Sequence, residues 1–257
     1  KFWPGPLTMI FEKSDLVPLE TTGGLNSVAV RFPSDPIAAE LILQAGGYVA
    51  APSANTSGRP SPTTAQHVEE DLGDAIEMII DGGPVGIGLE STIVDFTEDV
   101  PVVLRPGYIS LEMLQEVLGD VRMDKGLIKP DSKVHPKAPG MKYKHYAPDA
   151  DLKIVEGDEA KVVEYINDNV NRLISQGYKV AVMTTEEGKH NYNKGIIVSM
   201  GHKDDELSAA RHLYAVLREF DNENVDYVFS ESFETDNVGR AVMNRLIKAA
   251  GHTIINV

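Results

Sequence analysis

The segment Pro52-Ser-Ala-Asn-Thr-Ser-Gly-Arg-Pro-Ser61 gathers hydroxyls at Ser53, Ser57 and Ser61, the Asn55 amide and Gly58 directly behind an apolar run. A loop of small polar residues offers several donors to phosphate oxygens and keeps bulk away from a ligand. The same composition describes a turn whose Ser and Asn side chains bond their own backbone. A second run, Gly82-Gly-Pro-Val-Gly-Ile-Gly-Leu-Glu-Ser-Thr92, lacks the Gly-Lys-Ser/Thr ending by which a P-loop grips phosphate and magnesium. No helix start follows its Gly86-x-Gly88 pair, so it is not a dinucleotide fingerprint either. It reads as a flexible hairpin, or as a place where backbone approaches a ligand beside the Ser91 hydroxyl. Two arginines stand at strand ends, Arg31 closing Ser27-Val-Ala-Val-Arg31 and Arg105 following Val102-Val-Leu104. Each is either one half of a structural ion pair or a planar fork for carboxylate or phosphate. Finally, Pro139-Gly-Met-Lys-Tyr-Lys-His-Tyr-Ala-Pro148 packs cations, aromatics and an imidazole into a restricted backbone, the chemistry of a lid that closes over an anion.

Other chemistries are excluded by what the 257 residues lack. Cysteine is absent, which removes disulfides, thiolate zinc sites, iron–sulfur clusters and cysteine nucleophiles, and suits a reducing cytoplasm. The seven histidines form no HExxH or close ligand pairing, and no Gly-x-Ser-x-Gly elbow occurs. The formal charge is −15, from 24 basic and 39 acidic side chains, which argues against a protein that simply coats nucleic acid. By segment the balance is −12 over 1–122, +4 over 123–148 and −7 over 149–257, so one short stretch is basic. No apolar run reaches the roughly 18 residues that a membrane span needs, and the composition is that of a globular chain.

The elements that must carry these groups are legible in outline. Asp35 and Pro36 open a helix that Gly46-Gly47 ends. Tyr48–Ala51 reads as a buried strand, Thr63–Leu72 as a short helix, and Ile76–Ile80, Ser91–Asp95 and Val102–Leu104 as strands, followed by a helix over Ser110–Leu118. Four prolines and the lysine cluster then mark a linker. Beyond it strands (Leu152–Val155, Lys179–Met183, Ile196–Ser199, Tyr227–Ser230, Thr253–Val257) alternate with helices (Asp158–Ser175, Asp205–Phe220, Asn237–Ala249), which favours a largely parallel three-layer sheet. Leu213, Leu217 and Phe220 form the expected core face of one helix. The expected domains are therefore 1–122, a linker or lid 123–148, and 149–257.

Six motifs, in order and at matching separations, resemble the two-domain YrdC/Sua family of L-threonylcarbamoyladenylate synthases: Lys1-Phe-Trp-Pro-Gly-Pro-Leu-Thr8, Ser27–Arg31, Ala51–Gly58, Gly88–Asp95, Leu104–Gly107 and Pro139–Pro148. The resemblance implies an α/β fold: a YrdC-like twisted mixed sheet with helices, a Pro/Lys-rich linker, and a smaller Rossmann-like three-layer α/β domain. It implies a cytoplasmic nucleotidyltransferase that joins L-threonine, bicarbonate and ATP into threonylcarbamoyl-AMP and pyrophosphate, an intermediate passed to the machinery that makes threonylcarbamoyladenosine in tRNA. No covalent nucleophile is expected. Mg2+ would accompany ATP rather than sit in a protein cage, and no tightly bound organic cofactor is implied.

Carried over residue by residue, the resemblance puts Ser27, Ser53, Asn55, Ser61, Arg105 and Tyr143 on ATP. It puts Arg31, the Ala51 backbone and Ser91 on threonine, with Arg31 facing the carboxylate, and His145 and Tyr146 in the lid. Family members precede the Phe-Trp-Pro-Gly-Pro motif with further catalytic residues. The chain is therefore expected to lack the N-terminal part of its YrdC-like domain and to be inactive by itself. The C-terminal part carries no Gly-x-Gly-x-x-Gly loop, which argues against a second dinucleotide. A different class of reading, a noncatalytic nucleotide- or RNA-binding module of the same fold, is disfavoured for RNA by the overall charge but not by the lid.

Overall fold

The computed structural model describes residues 1–124, 127, 146–233 and 237–257. They divide into two compact units, Lys1–Pro52 with Leu89–Lys142, and Ser53–Gly88 with Tyr143–Val257.

The first unit is built on a mixed sheet of five strands, β1 (Leu7–Glu12), β2 (Ser27–Arg31), β3 (Thr92–Asp95), β4 (Val102–Arg105) and β5 (Arg122–Met123), in the order β2-β1-β3-β4-β5. β1 runs antiparallel to β2 and parallel to β3, while β4 is antiparallel to β3 and parallel to β5. One face carries Leu7, Val94 and Val103, which pack with Ile109, Leu114 and Val121 around helix α3 (Leu111–Leu118). Ser110 caps that helix, its Oγ accepting from the Met113 N–H at 3.2 Å, and the buried Thr92 hydroxyl donates to the Ile109 carbonyl at 2.7 Å. Helix α1 (Pro36–Gln44) starts as its sequence suggests, with the Asp35 carboxylate accepting from the Ala38 N–H at 2.8 Å and proline in the first turn. Gly46 and Gly47 leave it at φ +103° and +96°, angles that favour glycine.

Two expected strands do not form. Tyr48–Ala51 and Ile76–Ile80 have no strand structure, and Tyr48 is 86% exposed rather than buried. An apolar run becomes a strand only where a neighbour completes its ladder of hydrogen bonds, and no described strand pairs with either segment. The strand β1, by contrast, is present although its sequence was not read as one.

The second unit contains helix α2 (Ala65–Leu72) and a five-stranded parallel sheet: β6 (Asp151–Glu156), β7 (Val180–Thr184), β8 (Ile196–Ser199), β9 (Tyr227–Glu231) and β10 (Ile254–Asn256), ordered β10-β6-β9-β7-β8. Val155, Val180, Val182 and Phe229 meet Val162, Ile166, Val170 and Leu173 of helix α4 (Glu159–Ser175). On the other face Ile154, Ala181, Met183 and Val228 are equally buried. Helices α5 (Glu206–Asn222) and α6 (Asn237–Ala249) pack on each other, and α6 packs on β6. Strands buried on both faces explain their continuous apolar runs, and the expected three-layer α/β arrangement is what this part adopts.

Candidate functional site

In the first unit, sheet register gathers the polar residues that the sequence scatters. The ladder pairs Arg31 with Thr8, Thr8 with Ile93, and Ile93 with Arg105, so these four occupy one row across β2, β1, β3 and β4. Residues paired in this way point to the same face. The register shifts after Ile93, and a bulge of this kind re-aims side chains on the bulged strand. Ser91 lies two residues before Ile93 and so shares its side of the sheet. Its Oγ lies 2.7 Å from Thr8 Oγ1 and accepts from Arg105 Nη2 at 3.3 Å, while Arg105 Nε donates to the Ser91 carbonyl at 3.1 Å. Ser91 is buried and Arg105 half-buried, so the guanidinium is fixed in place by backbone and hydroxyl together. Arg31 is exposed at the end of its row. Ser27 lies on the same face of β2, about 13 Å away at 3.3 Å per residue, and is half-buried. Ala51 is exposed beyond α1.

The structure thus brings Ser91 and Arg105 into direct contact and sets Arg31 in their row. Thr8 belongs to this group and was not picked out from the sequence as a site residue. Its only sequence signal was its place at the end of the first motif.

In the second unit, the Ser53–Ser61 loop is tightly braced. Asn55 Nδ2 donates to the carbonyls of Thr56 (2.9 Å) and Arg59 (3.3 Å), so this side chain does bond its own loop. Its Oδ1 is buried and accepts no hydrogen bond among the described residues. Gly58 turns the chain at φ +92° and its carbonyl accepts from the Ala147 N–H at 3.1 Å. Ser53 is exposed and Ser61 is buried. Tyr146 is buried, with its ring 5.2 Å from that of Tyr214 on α5, which places it in packing against that helix. Tyr143 and His145 lie outside the described residues.

The braces on this loop that sequence reasoning missed are charged. Arg59 Nη1 donates to Asp71 Oδ1 at 2.6 Å. Arg218, beside the core residue Leu217 on α5, donates to both Asp71 oxygens at 3.1 and 2.7 Å and to the Pro60 carbonyl at 2.7 Å. Both Asp71 and Arg218 are essentially sealed from solvent, with side-chain exposures of 0% and 1%. Burial pushes the Asp71 pKa up, but the hydrogen bond and charge of Arg218, with Arg59 and the Thr56 N–H, outweigh it and hold the carboxyl below its ordinary value. Nearby, His67 Nδ1 accepts from the Thr63 N–H at 3.2 Å. Burial first, and then the Arg218 charge, keep this imidazole below its ordinary pKa.

The glycine-rich run is fastened to the same helix. Arg211 Nε donates to the Gly86 carbonyl at 2.8 Å. A Cβ on Gly88, which has φ +86°, would lie 2.4 Å from the Ala210 carbonyl oxygen and 2.5 Å from the Arg211 Cα, so only glycine fits there. The close backbone approach at this run is to α5, a neighbouring helix, rather than to a ligand. Chemically, the first unit offers a cation-and-hydroxyl array on one sheet face suited to anions, and the second offers a rigid loop of hydroxyls and backbone groups. Among the described residues there is no cluster of His, Asp and Glu that could hold a metal ion.

Comparison with known proteins gives matches along the chain. A family model described as "Threonylcarbamoyl-AMP synthase, C-terminal domain" matches residues 109–251, and the Sua5–YciO–YrdC model, described as "Telomere recombination", matches residues 1–107. The threonylcarbamoyl-AMP synthase of Bacillus subtilis is 45% identical over 256 residues, covering 99% of this chain and 72% of that protein. The threonylcarbamoyl-AMP synthase of Pyrococcus abyssi is 46% identical over 257 residues, covering 100% and 74%. The crystal structure of P. abyssi Sua5 complexed with L-threonine superposes with a TM-score of 0.91 at 45% identity, over 100% of this chain and 73% of that one. The expectation that this chain is inactive by itself draws no support from these matches.

Proposed function

The chain belongs to the two-domain Sua5/YrdC family of threonylcarbamoyl-AMP synthases, and from that premise we propose that it forms threonylcarbamoyl-AMP and pyrophosphate from L-threonine, bicarbonate and ATP. The threonine amine and bicarbonate combine with loss of water to give a carbamate. A carbamate oxygen then attacks the α-phosphorus of ATP, the new P–O bond forming as the bond to the β-phosphate breaks and pyrophosphate leaves with the electron pair. No protein nucleophile is needed. The task is to hold two anions together, spread the phosphate charge and keep water from the labile carbamate.

The observation that carries this reading is the Ser91–Arg105–Thr8 group in the same sheet row as Arg31. On it, Arg31 forks the threonine carboxylate, with the Ala51 backbone and Ser91 completing the amino-acid pocket. Arg105, held by Ser91, and Ser27 are the nucleotide contacts assigned within the first unit, and Ser53, Asn55 and Ser61 those assigned within the second. Tyr143 is a further nucleotide contact, with His145 and Tyr146 assigned to the lid. Mg2+ would accompany ATP and supply charge neutralisation at its phosphates. The product passes to the tRNA threonylcarbamoyl transfer machinery in the cytoplasm. Among the described residues, no helix is long and apolar enough to cross a membrane.

The test is mass spectrometry of the products formed from ATP, Mg2+, L-threonine and bicarbonate, with pyrophosphate release followed in parallel. Threonylcarbamoyl-AMP with stoichiometric pyrophosphate is expected. A folded protein that binds ATP and RNA yet makes neither product would replace the synthase by a noncatalytic binding module.

A further inference from the structure

We propose that Arg218 and Asp71 are positioning residues for nucleotide binding, through which helix α5 of the C-terminal α/β part sets the shape of the Ser53–Ser61 loop. The inference rests on the reading above that this loop meets ATP. Arg218 is fully buried in the core face of α5, next to Leu217, yet its fork leaves that core to grip Asp71 at both oxygens and the Pro60 carbonyl. Asp71 gathers the loop from the other side, accepting from Arg59 Nη1 and from the Thr56 N–H. Three loop residues, Thr56, Arg59 and Pro60, are therefore tied to one carboxylate–guanidinium pair, and Ser61 follows immediately.

The pair is built for geometry. A bidentate fork fixes distance and plane together, whereas a single point charge fixes only distance. With no solvent to substitute for either partner, the loop cannot drift without breaking a buried charge-assisted bond. α5 also receives the glycine-rich run through Arg211 and the close approach of Gly88. One helix thus anchors both segments that the sequence singles out as ligand loops. This gives the C-terminal part a role in the reaction, although neither Arg218 nor Asp71 need touch a substrate.

The experiment compares Arg218→Lys and Arg218→Gln with Ser53→Ala in the full chain, measuring thermal unfolding, Kd for a non-hydrolysable ATP analogue, KM for ATP, KM for threonine and kcat. Arg218→Gln is expected to raise Kd and KM for ATP about tenfold while KM for threonine stays within twofold. Arg218→Lys, which keeps the charge but not the fork, should fall between it and the parent and serves as the readout if Arg218→Gln unfolds. Equal losses for ATP and threonine, or a loss of active fraction alone, would mean a purely structural pair and overturn the proposal. So would unchanged ATP affinity in a folded Arg218→Lys protein when Ser53→Ala has weakened it. If Ser53→Ala leaves ATP affinity untouched, the loop reading itself has failed, and the positioning role falls with it.

Discussion

Cutting the Asp71–Arg218 pair from its two ends should cost very different amounts. Asp71→Asn leaves Arg218, 1% exposed, with only the part-exposed Glu70 carboxylate at 3.9 Å as counter-charge and no charged partner inside the core, and a broken buried pair of that kind costs about 3–5 kcal/mol. Arg218→Met leaves Asp71 still paired with Arg59 at 2.6 Å and with the Thr56 N–H, so the main loss is the unsatisfied Pro60 carbonyl, worth about 1–3 kcal/mol. For a chain of this size a loss of about 4 kcal/mol lowers Tm by roughly 8–16 °C. The double variant removes both buried charges, so its cost should fall short of the sum of the single costs by at least about 1 kcal/mol. Urea unfolding of the four proteins reads all three quantities. The pH dependence has a fixed sign. Because the folded carboxyl titrates below its ordinary value of 3.8, the advantage of the parent over Asp71→Asn should be complete above that value and vanish as pH falls through the lower folded value. Equal costs for the two single variants, or strict additivity, would refute the claim that Arg218 depends on Asp71 more than Asp71 depends on Arg218.

Arg31→Ala should raise KM for threonine much more than KM for ATP, because the proposed partner of this exposed guanidinium is the amino-acid carboxylate; steady-state titration of each substrate decides, and equal losses would displace Arg31 from that pocket. His67 makes a prediction of the same sign as Asp71, in a higher pH window. Its folded pKa is depressed below 6.5, so stability should be full above that pH and decline below it until the folded value is passed, because the unfolded histidine takes up a proton while the buried imidazole, whose Nδ1 accepts from Thr63, stays neutral. His67→Gln should flatten a plot of unfolding free energy against pH between 7 and 5, and an unchanged slope would show that the imidazole is not responsible.

The polar groups were legible as motifs long before they could be seen as neighbours. Ser91 and Arg105 stood out by type and by their positions at strand ends, and the fold sets them in hydrogen-bond contact with each other. Thr8, an ordinary residue in an apolar strand, joined them only through sheet register, which a single strand cannot reveal. The strands read into Tyr48–Ala51 and Ile76–Ile80 failed for a related reason, since hydrophobicity supplies one face of a strand but the ladder needs a second chain segment. In the C-terminal part the periodic alternation of apolar strands and capped helices was read to within one or two residues at most ends. There each element carries its own pattern and caps.

Arg218 was invisible at that level, as a cation between Leu217 and Glu219 reads as a solvated helix position. Its partner lies 147 residues away, and nothing local distinguishes a guanidinium that finds a buried carboxylate from one that finds water. What the sequence by itself determined was whatever short-range chemistry controls: helix starts at Asp35, Ser110 and Asp158, the alternating α/β pattern, and the order of the ligand-loop motifs. The tertiary structure alone decided which strands pair, which row holds Thr8 with Arg31 and Arg105, and that one helix holds both glycine- and serine-rich loops. Those contacts depend on free energies shared between segments far apart in the chain, and each segment taken alone is compatible with several neighbours.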